Sequence, residues 1–212
     1  MEEGIKMGDL KGIIKGSYVI GEIVIQAMKY QIFFFLFVLR GGILFGLFPS
    51  IAAVSQGIYQ QIIEEESISL KKFSTHYKQY FKIGNQLGYT VCGALVFLWI
   101  DLRISATYIQ LPILHYFLLF LFILFMGGSL YIFPSLCRYE LTYRQYIQRS
   151  GLLVFCNLIE TIAIIFGLYL STILMAFFPI LLVVASVALY GFPIVWFGIQ
   201  SMKRAERKAA KL

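Results

Sequence analysis

Residues 113–133, ILHYFLLFLFILFMGGSLYIF, contain no Lys, Arg, Asp or Glu. As a helix rising about 1.5 Å per residue, this run spans about 30 Å, the thickness of a bilayer's hydrocarbon core. Further apolar runs occupy 84–100, 151–171, which holds Glu160, and 177–199. Composition agrees, since 59% of the 212 residues are hydrophobic and 14% charged, against about 45–50% and about 25% in a typical soluble domain. Too few charged side chains remain to cover a water-facing surface. In hydrocarbon every backbone polar group needs an internal partner, which helices supply. The expected fold is therefore an all-α polytopic membrane helical bundle. Six spans of about 20 residues leave room for one integral membrane domain over 1–212 and no soluble one.

The segment 18–63 decides the span count. As one helix it would reach about 69 Å, more than twice the hydrocarbon thickness, so it must turn. Arg40-Gly41-Gly42 is the expected break, where a charge adjoins two residues of low helix propensity. Spans then lie near 19–39 and 43–63, making six. Cytoplasmic segments carry the excess Lys and Arg. Of the 18 cations, 15 fall before residue 18, within 64–83 and 135–150, and in a basic tail at 203–212. Arg40 and Arg103 alone fall on the opposite side, and Lys29 lies within the first span. Both termini are thus expected in the cytoplasm.

Three groups of residues are candidates for function. Glu22, Gln26 and Lys29 recur at i, i+4 and i+7 and share one face of the first span. An ionisable group within a bilayer usually faces the bundle interior or a water-filled cavity; alternatively, Lys29 snorkels to the interface and residues 10–28 lie along it. Asn157 and Glu160 stand one turn apart in the middle of the run 151–171. They either serve ion or proton chemistry or join helices by hydrogen bonds. The segment 67–82, SISLKKFSTHYKQYFK, is amphipathic: Phe73, Tyr77 and Phe81 repeat every four residues, while Lys71, Lys72 and Lys78 take other faces. A cytoplasmic interfacial helix is expected there, its aromatic stripe meeting lipid and its lysines anionic headgroups. A partner-docking surface would have the same pattern.

Small residues at Gly42 and Gly46, Ala53 and Gly57, Gly84 and Gly88, and Gly127-Gly128 suit close helix packing. Cys92, Cys137 and Cys156 have neither metal-ligand nor disulfide spacing and read as small buried apolar residues. His76 and His115 are isolated, and no GxSxG, HExxH, Walker loop, GxGxxG or CxxC occurs. Neither an enzyme nor a nucleic-acid binder is expected, nor a metal or cofactor. The expected partners are the lipid bilayer and other membrane helices, including further copies of the chain.

Four local patterns carry a family resemblance. GGILFGLFPSIAAV (41–54), FSTHYKQYF (73–81), WIDLR (99–103) and YIFPSLCRYELTYRQYIQRSG (131–151) resemble the YesL-like family of small bacterial integral membrane proteins. That family's Gly-x-Phe-Pro-Ala-Thr-Ala-Ala motif is matched by Gly46, Phe48, Pro49, Ala52 and Ala53, with Ser50 and Ile51 departing from it. Its aromatic stripe is matched by Phe73, Tyr77 and Phe81, its Asp-Leu-Arg exit by Asp101, Leu102 and Arg103, and its later Phe-Pro by Phe133 and Pro134, followed by Tyr139. The resemblance implies a protein of the cytoplasmic membrane of a Gram-positive bacterium, accessory to a carbohydrate ABC importer and contacting its permease subunits. It supplies no catalytic residue. Two rival expectations stand beside it. One is an independent transporter or channel with Glu22, Lys29, Asn157 and Glu160 lining a polar path; the other is a structural, oligomer-forming membrane protein.

Overall fold

A computed structural model describes residues 7–209, with side chains from 21 to 207; Lys6 and Lys211 of the charge count lie outside the described residues. Among the described residues eight α-helices follow one another: α1 Met7–Arg40, α2 Leu44–Ile63, α3 Leu70–Ile104, α4 Pro112–Arg138, α5 Tyr143–Cys156, α6 Leu158–Phe177, α7 Ile180–Val184 and α8 Ser186–Ala209. A π-helical turn, Ser105–Ile109, prolongs α3. No strand occurs among the described residues. Four helical segments are long and apolar enough to cross a membrane: Gly21–Arg40 of α1, α3 with its π-turn, α4 and α6.

The expected break at Arg40-Gly41-Gly42 is present. Arg40 ends α1 with a cation in its last turn, favourable beside the helix's partly negative C-terminus. Gly42 then takes φ 71°, a region open to glycine at little cost, and Ile43 N–H donates to the Val38 carbonyl at 2.9 Å. At the other end of α2, Ser69 caps α3, its hydroxyl accepting from Lys72 N–H. Thr142 and Gln145 form a reciprocal capping box that starts α5.

α2 is the centre of the bundle, touching α1, α3, α4 and α8. It buries Gly46, Phe48, Pro49, Ser50, Ala52, Ala53, Val54, Ser55, Gly57 and Ile58. Protein rather than solvent or lipid covers it, so it carries serines and glutamines and falls short of the apolarity of the four long segments. Most of the small residues noted above mark its close contacts. A Cβ on Gly46 would collide with the Val38 carbonyl of α1, and one on Gly57 would lie 2.8 Å from the Tyr30 ring. Gly88 of α3 leaves room for the Phe48 ring, which packs edge-on against Tyr89 at 5.0 Å. Gly42 instead faces open space.

Four expectations need correction. The amphipathic segment 67–82 is not a separate interfacial helix. From Leu70 it is the first half of α3, a continuous helix of 35 residues. Its aromatic stripe does not meet lipid: Phe73 and Tyr77 are buried, with ring centroids 5.0 Å from Phe37 of α1, and Phe81 alone stays substantially exposed. Burial against α1 removes these rings from solvent as fully as lipid would, and adds aromatic edge contacts. The lysines do point outward, Lys71 and Lys78 exposed and Lys72 paired with Glu66.

Second, the run 151–171 is interrupted at Asn157, whose φ −136° and ψ 58° depart from helical values. Hydrogen bonds from Asn157 N–H to Leu153 and from Thr161 N–H to Asn157 continue across the break, so the chain bends without opening into a loop. Third, the run 177–199 is divided. α6 ends at Phe177, Pro179 precedes the short α7, and α8 begins at Ser186 and continues through the supposed tail to Ala209. Fourth, Cys92 and Cys156 are exposed, contrary to their reading as interior residues.

The turn between α1 and α2 sits against Tyr77 of α3, and Asn85 donates to the Phe45 carbonyl at 2.9 Å. The α1–α2 hairpin therefore lies along the lysine-bearing half of α3. Gly46→Ala should lower the midpoint of thermal unfolding in detergent, costing about 1–3 kcal/mol for overpacking despite alanine's better helix propensity. Gly93→Ala, whose Cβ meets nothing within 4 Å, should leave the midpoint unchanged or raise it.

Candidate functional site

α4 ends in Arg138, and the chain then turns through Tyr139 into α5. Tyr146, one turn into α5, donates its hydroxyl proton to the Tyr139 carbonyl at 2.6 Å and accepts from Leu141 N–H at 3.2 Å. This closes the turn. Arg149, a further turn along, stacks over the Tyr139 ring at 3.6 Å. From α8, Glu206 accepts two bonds from the Arg138 guanidinium, at 3.0 Å from Nε and 2.6 Å from a terminal nitrogen. It also accepts from the Tyr139 hydroxyl. Such a fork matches guanidinium to carboxylate geometry. The Arg138 bond holds the Glu206 carboxyl below the usual carboxylate range. Burial, reinforced by Glu206, pushes the Tyr139 hydroxyl up.

Two residues earlier on α8, Arg204 meets Glu160 of α6 at 2.6 Å. Residues at i and i+2 of a helix project about 200° apart, so Arg204 and Glu206 reach opposite neighbours. The end of α8 is clamped between α6 on one side and the α4–α5 turn on the other. Glu160 is only 8% exposed. It lies in the first turn of α6, where a helix's N-terminal end favours negative charge, and not in the middle of a continuous span as expected. Beside it Thr161 joins the Tyr131 hydroxyl at 2.8 Å and donates to the Asn157 carbonyl. Asn157 is buried at the bend, and its side-chain amide has no protein partner.

The clamp borders a groove of about 470 Å³, lined by Gln145, Gln148 and Arg149 with Leu141, Leu152, Leu153, Cys156 and Ala205 beneath. Its lining also includes the Glu206 carboxylate, so a cation, an anion and two amides stand among apolar side chains.

The other candidate residues scatter. Glu22 is exposed, Lys29 half-buried, and Gln26 buried at 7% exposure. None of the three ion pairs among the described residues includes Lys29. Asp101 and Arg103 do not pair; Arg103 stacks over Trp99 at 5.3 Å. Gly46, Phe48, Pro49, Ala52 and Ala53 are packing residues of α2. Pro134 packs on Gly198, where a Cβ would lie 2.8 Å from it, with Phe133 half-buried next to it.

Sequence reasoning missed Arg204 and Glu206, absorbed into a basic tail. The available signal was Glu206 itself, the one acidic residue in the run KRAERK.

Residues 28–102, just over a third of the chain, match the family model described as "Protein of unknown function, DUF624". The match covers the end of α1, all of α2 and nearly all of α3. The clamp lies outside it. Neither a curated protein nor a solved structure matches the chain.

Arg204→Ala should lower thermal stability in detergent by about 1–3 kcal/mol, the cost of leaving a buried polar group without its partner. Adding Glu160→Gln should restore most of the loss, because it removes the charge stranded by the first change. A double-mutant cycle measures this directly.

Proposed function

We propose that the protein is a non-enzymatic accessory component of the cytoplasmic membrane of a Gram-positive bacterium, working beside a carbohydrate ABC importer. DUF624 includes the YesL-like proteins, and the matched segment carries the Gly-x-Phe-Pro motif and the aromatic stripe and ends at Leu102, within the Asp-Leu-Arg exit. The observation that carries an accessory role is the clamp. Arg138, Tyr139 and Glu206 fix the ends of α4 and α8, and the groove beside them presents Arg149, Gln145 and Gln148. An amphipathic cytoplasmic segment of a permease subunit, with a carboxylate for Arg149, is its proposed occupant. Extraction in a mild detergent should recover permease subunits with the tagged protein. Arg149→Glu should reduce that recovery at least fivefold with the elution volume of the free protein unchanged. Recovery of none, from membranes whose importers stay assembled, rejects the proposal.

For the topology we propose six crossings with both termini in the cytoplasm. The distribution of cations supports it, as does the protein-covered setting of α2, which lets a span be less apolar than a lipid-facing helix. The contact of Gly41 with Tyr77, in the lysine-bearing half of α3, favours instead a turn on the cytoplasmic side, and so makes that turn the deciding position. In a chain freed of its cysteines, Leu44→Cys and Tyr108→Cys should react with an impermeant maleimide on intact cells, and Ser67→Cys only after permeabilisation. Reaction of Leu44→Cys only after permeabilisation would make α1–α2 a hairpin re-entering the cytoplasmic side.

A further inference from the structure

A second cavity, of about 570 Å³, lies between α1, α2, α6 and α8. That volume is within the roughly 300–1,000 Å³ range of small-molecule sites. Its walls are apolar, with Ala27, Ile58, Ile62, Ala188, Leu189 and Pro193 among them. At its mouth stand Ile23 and Phe192, which are 60% and 51% exposed. The surrounding surface includes Ile25, Met28 and Ile32 of α1 and Phe166 and Leu170 of α6, all exposed. Trp196, stacked on Phe192 at 5.8 Å and 38% exposed, continues this apolar rim. A molecule entering from that surface comes from the hydrocarbon phase.

Most polar groups in the cavity are committed. The Tyr30 hydroxyl donates to Gln61 at 3.0 Å, and the Ser171 hydroxyl serves the Gly167 and Leu189 carbonyls, both at 2.9 Å. Gln26 is different. It lines the cavity, is 7% exposed, and its amide oxygen is buried with no partner. A buried amide without a hydrogen bond is costly, and an amide both donates and accepts.

We propose that this cavity holds one acyl chain of a membrane phospholipid, with its glycerol-ester region at Gln26. The hydrocarbon chain restores contacts that an empty apolar cavity forfeits; an ester carbonyl, which can only accept, takes a hydrogen bond from the Gln26 amide nitrogen, and the buried Gln26 amide oxygen is left for a donor of the headgroup, a hydroxyl or an ammonium. The assignment rests on the membrane setting of the helices and is independent of the importer association.

The full-length protein, reconstituted into vesicles of phosphatidylethanolamine and phosphatidylglycerol, tests it. The probe is a phosphatidylglycerol carrying a photoactivatable diazirine near the ester of one acyl chain, with adducts located by peptide mass spectrometry. Adducts should concentrate on 23–30 and 188–193. Ala188→Phe, which fills the cavity, should reduce them at least fivefold and leave those on the exposed flank 113–120 of α4 unchanged. Gln26→Leu should reduce adducts on α1 at least threefold, because nothing then holds the ester there. If Ala188→Phe fails to elute as a folded species, Ala27→Leu replaces it with the same expected loss. Even labelling of the outward surface, or labelling unchanged by the filling substitution, overturns the site. Crosslinks to a second copy through these residues assign the cavity to self-association, and a diazirine fatty acid that displaces the phospholipid assigns it to free acids; either result overturns the proposal.

Discussion

The closeness with which α2 meets its neighbours is the constraint on which the bundle depends. Gly46 admits the α1 backbone, Gly57 the Tyr30 ring, and Gly88 of α3 the Phe48 ring. Between helices already removed from water, attraction comes mainly from dispersion contacts and hydrogen bonds, and both fall off steeply with distance. A single methyl at Gly46 would therefore be felt along the whole α1–α2 hairpin. The same closeness lets α2 keep polar side chains. The Gln56 amide oxygen accepts from the Tyr80 hydroxyl and the Gln60 oxygen pairs with His76, both across to α3.

Features that follow from backbone chemistry or plain apolarity were legible in the sequence. The Arg40-Gly41-Gly42 turn combines a charge with two poor helix formers, and α4 declares itself by an uninterrupted apolar run. The bend at Asn157 was not legible. Its neighbours are apolar on both sides, and one asparagine differs little in helix propensity from the residues around it. The break exists because α5 packs against α4 and α6 against α8, a tertiary demand with no local marker. The aromatic stripe shows a different limit. Phe73, Tyr77 and Phe81 announce an apolar face, and periodicity identifies the face without saying whether lipid or protein covers it.

Charge was legible in sum and opaque in detail. Counting cations treats Arg138, Arg204 and Lys203 alike, although two of them are tied into the clamp. Glu160 shows why the distinction matters. A carboxylate at 8% exposure is tolerable where Arg204 lies 2.6 Å away and a helix N-terminus points at it. The ion pair explains both its burial and the route of α8, whose last turns are drawn along α6.

Two of the polar sites of the interior are separate from each other. Gln26 faces the cavity that also touches Ser171 of α6, whereas Glu160 is bound to Arg204 at the start of that helix. Eleven residues of helix separate Ser171 from Glu160, about 16 Å at 1.5 Å per residue. A polar path through the protein would have to join these sites past Ile164, which is fully buried, and Gly167, where a Cβ would lie 2.7 Å from Pro193. The packing is thus tight between the two sites, and the cavity at Gln26 and the groove at the clamp are two separate openings among several, another of about 610 Å³ lying between Phe45, Asn85, Tyr89 and Tyr143.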